Sequence, residues 1–214
     1  MARNRSNIFN SQIVTRLDKD DLPGLQNTTR KTEQNLNIML NHAPLKSVES
    51  GLQDKYRKYF THPDYQATAA GTVLIYTDGS TIANGQRGAK SGYGVFFAKE
   101  NLMDKNLSRR VPRLEKQTNN VAELMAIHEA IHIGKDLPGR PFLKIYSDSN
   151  YAIDVVTGKK NASKNTELID GIKALLRITR VDFTHVYAHT SKQDIHSIGN
   201  DIADYLAGQG SSTA

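Results

Sequence analysis

The chain has 214 residues, enough for one sizeable domain plus an extension, and its 28 Lys and Arg against 22 Asp and Glu give a formal charge of +6. That excess suits a polyanionic partner without requiring one. With no cysteine the chain has no disulfide, no thiolate zinc site and no cysteine nucleophile, and no apolar run approaches the ~20 residues of a membrane span. An intracellular protein is expected.

Residues 1–68 read as an extension. The opening MARNRSNIFNSQIVTRL is basic and free of acid until Asp18. A basic tail is the preferred reading, although the composition also fits a mitochondrial transit peptide. Helical spacing of apolar residues appears near Thr32–His42 and again over Leu45–Phe60, where Val48, Leu52, Tyr56, Tyr59 and Phe60 recur. HPDYQATAAG, at 62–71, reads as a linker. From 69 to 210 the pattern is that of an α/β domain, followed by a short tail, 211–214. TVLIYT is a continuous apolar run, as expected of a strand buried on both faces. GYGVFFA and KNLSRRV follow as strands. NNVAELMAIHEAIHIG is a helix with Asn119 or Asn120 as its cap, and PFLKIY is a strand. SNYAIDVV and NTELIDGIKALLRI are helices, VDFTHVYA a strand and GNDIADYLAG a last helix. The order predicts a mixed-sheet α/β fold.

Two strands run into an acid: LIYTDGS with Asp78 and LKIYSDS with Asp148. Each has a plain reading, since Asp-Gly is a hairpin turn signal and Ser-Asp-Ser can cap the following helix. If the strands are parallel neighbours, the carboxylates face each other at the sheet edge where α/β folds place their sites. Like charges that close resist joint ionisation, and a divalent cation removes the conflict. On the helix that follows, Glu123 shares the apolar stripe with Leu124, Ile127 and Ile131, the face that packs on the sheet. A lone carboxylate there is costly unless paired or metal-bound.

HEAIH at 128–132 has the spacing of a zinc metalloprotease helix. By helical geometry His128, Glu129 and His132 lie with Met125 opposite Glu123, away from the packed face. A zincin also needs a third ligand from elsewhere and a cleft on that side, and no candidate with the family spacing is found, so zinc hydrolysis is the minor reading.

YTDGS, TNNVAELMA, YSDSNYA, VYAHT and GNDIADYLAG, in this order, resemble ribonuclease H of type 1, the family of cellular enzymes and reverse-transcriptase-associated domains. The resemblance covers about residues 72–210 and implies a five-stranded mixed sheet flanked by helices. It implies an endonuclease that cleaves the RNA strand of RNA–DNA hybrids to 5′-phosphomonoesters. The family's carboxylates fall on Asp78, Glu123, Asp148 and Asp204, with Asp201 the rival for the fourth place. Its histidine falls on His189, and the loop between it and the last helix, TSKQDIHSIGN, is longer than usual in the family and contains His196. Thr118 matches the family's phosphate-holding threonine and Asn165 its companion. Asn119 and Asn120 match minor-groove contacts, and Ser80 follows in the first motif. The basic helix of many relatives is absent, with Lys159, Lys160 and Lys164 as substitutes on offer. The chain has no Trp, so the aromatic DNA-strand channel of some relatives is missing or built differently.

The implied mechanism is hydrolysis with two magnesium or manganese ions, Asp78 and Asp148 bridging both, and Glu123 and Asp204 holding one each. The partner is the hybrid, read through the 2′-hydroxyl in the minor groove. A monomer without membrane association is expected. The alternative function is a non-catalytic hybrid-binding or tether module of a retroelement or viral replication protein. A resolvase-like nuclease of the same fold, acting on DNA, is a further alternative.

Overall fold

The structure, a computed structural model, describes residues 50–65, 71–188 and 193–213. The helix expected near Thr32–His42 lies outside the described residues, as do 45–49 of the next one. The remainder of that second helix is α1, Ser50–Phe60.

Among the described residues five strands form one sheet in the order β3-β2-β1-β4-β5. They are β1 Thr72–Ile82, β2 Lys90–Phe97, β3 Leu107–Arg110, β4 Phe142–Ser147 and β5 Val181–His185. β1, β2 and β3 pair antiparallel, whereas β4 pairs parallel to β1 and to β5. Five helices among the described residues cover the two faces. Behind α1 come α2 Asn119–Gly134, α3 Asn150–Thr157, α4 Thr166–Leu176 and α5 Ile195–Ser212. A short 3-10 turn, Glu100–Lys105, joins β2 to β3.

β1 runs further than its apolar stretch suggested. Asp78 and Gly79 pair with Gly94 and Tyr93, so they lie inside the strand, and the chain turns only after Ile82. The hairpin reading of Asp-Gly therefore falls. β4, by contrast, stops beside Thr77 at Ser147. β1 loses its parallel neighbour at the level of Asp78, which opens the sheet there. The capping reading of Ser-Asp-Ser is met by a serine instead of the acid. Ser149 Oγ accepts from the Ala152 amide at 3.2 Å, leaving the Asp148 carboxylate uncommitted to the cap.

One sheet face buries Ile75, Val95, Phe97, Leu143 and Ile145 under α2, α3 and α4. The other buries Tyr76, Phe96, Tyr146 and Val186 under α5 and α1. Alternation along each strand supplies both sets, so each core needs its own helical cover. α1 lays Leu52, Tyr56 and Tyr59 into the second core. Tyr59 is fully buried, edge-on to Phe96 at 5.0 Å, with its hydroxyl 3.1 Å from that of Tyr76. Residues on the extension side of the boundary drawn near 68 thus share a core with the sheet. No helix among the described residues is long and apolar enough to cross a membrane.

Candidate active site

The opening in the sheet gathers acids from three elements. Asp78 stands on β1, Asp148 just past β4, and Glu123 in the second turn of α2. Each can bring one carboxylate oxygen within 4.8 Å of the other two. Close approach of α2 to β1 depends on Gly79, where any Cβ would collide with the backbone of Ala122 and Glu123. That glycine is a site residue that sequence reading passed over as part of a turn signal. His185 is another. Its Nε2 lies 3.1 Å from the carbonyl oxygen of Asp148, which ties the end of β5 to the acid's own backbone.

Asp78 and Glu123 are buried, and their carboxyls are pushed well above the usual carboxylate range. For Asp78 the largest cause is burial, followed by the charges of Asp148 and Asp204. For Glu123 it is again burial, then Asp78 and Asp148. The Gly79 amide offsets part of both shifts. Asp204 is exposed on α5 and is the carboxylate of that helix whose charge raises both groups. Asp201, also exposed, stands three residues earlier on the same helix.

Thr118 caps α2, its Oγ accepting from the Val121 amide at 3.4 Å, where Asn119 or Asn120 had been expected to cap. Those two asparagines instead occupy the first turn of the helix, exposed, with Glu123 one turn on. Asn165 precedes α4 in a left-handed conformation, φ 58°, and its carboxamide makes no capping bond. α2 begins at the sheet edge that carries the acids, where Gly79 meets Ala122 and Glu123, and α4 leads on to the start of β5. Ser80 continues β1 two residues past Asp78, its Oγ 3.5 Å from that of Ser211.

His189 lies outside the described residues. His196 does not share its loop. α5 begins at Ile195 behind an Asp194 cap, four residues before the expected start. The His196 ring stacks on Tyr146 at 4.5 Å, with Nδ1 2.9 Å from the Tyr76 hydroxyl. It belongs to the aromatic core beneath α5.

HEAIH does not face away from the packed side, as helical geometry alone had placed it. His128 and Glu129 are both buried, because α2 has neighbours on more than the sheet-facing side: α4 packs along it, and β3 supplies a partner for Glu129. Glu129 takes a 2.8 Å ion pair from Arg109. His128 stacks on His132, and burial, with His132 second, holds it neutral with a pKa lowered to about 3. Both polar groups of the pair are absorbed by packing, and the acids at Asp78, Glu123 and Asp148 are the only candidate metal cluster among the described residues.

The family model for RNase H matches residues 70–212. The chain is 34% identical to ribonuclease H of Schizosaccharomyces pombe over 188 residues, 74% of this chain and 66% of that one. It is 33% identical to ribonuclease H1 of Homo sapiens over 151 residues, 64% of this chain and 49% of that one. It thus spans just under two thirds of the first relative and about half of the second. Its fold is similar to that of LC11-RNase H1 isolated from compost, with a TM-score of 0.51 at 21% identity, over 66% of this chain and 96% of that one. It is similar also to a foamy viral protease-reverse transcriptase in complex with an RNA/DNA hybrid, with a TM-score of 0.55 at 22% identity, over 82% of this chain and 24% of that one. The five-stranded mixed sheet flanked by helices matches these neighbours in fold. The chain belongs to the RNase H family.

Proposed function

We propose that the chain is an endoribonuclease that cleaves the RNA strand of RNA–DNA hybrids, leaving 5′-phosphomonoesters, with magnesium or manganese. The observation that carries the reading is the convergence of Asp78, Glu123 and Asp148 within 4.8 Å beside the exposed Asn119 and Asn120. The residues fit a divalent cation. Glu123 Oε2 is buried without a hydrogen-bond partner, and two of the three carboxyls repel one another's ionisation. An all-oxygen donor set favours magnesium or manganese over zinc.

Asp78 and Asp148 would hold both of two ions, Glu123 and Asp204 one each. When bound, the metals supply Lewis acidity for the attacking water and the leaving 3′-oxygen. The chain's own groups do the rest. The carboxylates would hold the cations at the sheet edge, where the scissile phosphate has to lie. Thr118 keeps its hydroxyl hydrogen free to donate to a phosphate oxygen while its lone pair caps α2. Asn165 offers an uncommitted carboxamide to the same strand. Asn119 and Asn120 present theirs to the minor groove, where the 2′-hydroxyl distinguishes RNA from DNA. His189 is assigned the proton that the leaving 3′-oxygen takes up, a role suited to a group that titrates near neutrality.

The test is cleavage of an end-labelled hybrid, with duplex DNA and duplex RNA as controls. Hybrid-specific, magnesium-dependent cuts are expected, abolished in Asp148→Asn while hybrid binding persists. Equal cutting of duplex DNA, or full turnover in the variant, would overturn the reading.

A further inference from the structure

The last rung of the β2–β3 ladder is only half made. β3 pairs with β2 as far as Arg110 opposite Gly92. The next pair would be Val111 with Ser91. The Val111 amide does donate to the Ser91 carbonyl, at 2.8 Å. The reciprocal bond is absent, and the side chain of Gln117 stands in its place. Ser91 N–H donates to Gln117 Oε1 at 2.9 Å. Gln117 Nε2 faces the Val111 carbonyl at 3.4 Å and bonds the carbonyls of Pro112 at 2.9 Å and Glu115 at 3.0 Å. One carboxamide thus bridges the sheet and closes the loop 111–117 from inside.

The consequence lies one residue on. Thr118 is the cap of α2, and Asn119 and Asn120 form its exposed first turn. The carboxamide therefore sets where that turn stands relative to β2, and through β2 relative to β1, since Ser91 also meets Thr81 at 2.8 Å between hydroxyls. The acids are anchored separately, by Gly79, by the α2 packing on β1 and by β5. We propose that Gln117 is a positioning residue for substrate, holding Thr118, Asn119 and Asn120 at the height the hybrid meets without touching it. The inference rests on the hybrid-nuclease reading above.

The experiment compares the parent with Gln117→Ala and Gln117→Glu. The glutamate keeps an acceptor for Ser91 N–H and loses both donors. Steady-state cleavage of a hybrid, manganese half-saturation measured without substrate, and amide exchange at Ser91 are followed in all three. In Gln117→Ala the KM should rise about tenfold with kcat within about threefold, the scale of one or two lost hydrogen bonds. Manganese half-saturation should stay constant, and Ser91 exchange should quicken. Gln117→Glu should protect Ser91 partly and raise KM less. An unchanged KM with fast Ser91 exchange would overturn the inference, as would kcat and manganese affinity falling together, the mark of a general loosening. If the parent neither binds nor cleaves hybrids, the underlying reading falls and this one with it. If the parent cleaves and Gln117→Ala keeps its KM, only the inference falls.

Discussion

Two buried titratable sets respond to pH in opposite directions, and each gives a residue-level prediction. His128 is held neutral at about 3 against an ordinary 6.5, so its contribution to stability is complete above 6.5. It is lost as pH falls toward 3, at about 1.4 kcal/mol per pH unit once the unfolded histidine ionises. His128→Leu removes an unpartnered ring nitrogen and fills much the same space, so its acid limb should be flatter than the parent's. Denaturant titrations of both proteins between pH 4 and pH 7 measure the difference, and parallel curves would refute the placement. The choice between histidines is also tested at this scale. His196 is committed to Tyr76 and Tyr146, so His196→Ala should cost stability and leave the pH profile of turnover in place. His189→Ala should slow turnover by roughly ten- to a thousandfold, the usual contribution of a positioned acid–base group. A slow His196 variant beside an unaffected His189 variant would reverse the assignment.

Among the elements, α1 and α5 show how much a helix's neighbours matter. α1 has only two turns of apolar spacing and would be marginal alone, since nucleation is costly in so short a helix. It persists because Leu52, Tyr56 and Tyr59 enter an aromatic cluster with Tyr76 and Phe96. Its end is tied to the start of α5, where Lys58 Nζ donates to Gln193 Oε1 and His62 Nε2 lies 2.8 Å from the Gln193 carbonyl. A chain beginning near residue 68 would uncover that cluster. Truncating Tyr59 alone, as Tyr59→Ala, is expected to cost about 3–5 kcal/mol, the range for large aromatic deletions in a core. Urea unfolding of Tyr59→Ala and of the shortened chain should show both midpoints well below the parent's. An unchanged midpoint in the shortened chain would mean that α1 rests on the domain without stabilising it.

For the whole molecule, stability and metal affinity are linked through the acidic cluster. Asp78 and Glu123 have folded pKa values raised above their unfolded ones. Their contribution is therefore complete below the ordinary carboxylate range and lost as pH rises through the raised values. Metal-free protein should melt lower as pH climbs from acid to neutral once the opposite His128 effect is subtracted, and Asp78→Asn should weaken that trend. Magnesium at about a hundred times its Kd should restore about 2.7 kcal/mol at neutral pH by mass action. Calorimetry with and without magnesium reads both, and a melting temperature indifferent to the metal at neutral pH would refute the linkage. The α/β order, the strand identities and the acids at 78, 123 and 148 were legible in the sequence. Apolar runs, helical spacing and acids at strand ends are local patterns that survive folding unchanged. Other features depended on distant segments. Asp78 proved to lie inside β1 because β2 continues beside it after β4 has stopped. His128 and Glu129 are buried because distant elements, α4 and β3 among them, pack on parts of α2 that periodicity left open. Thr118 took the cap from the asparagines, and Gln117 entered a rung that β3 did not complete. Periodicity reports the face a segment must hide, whereas a second covered face, or a hydrogen bond left for a side chain to fill, exists only once elements remote in sequence have met.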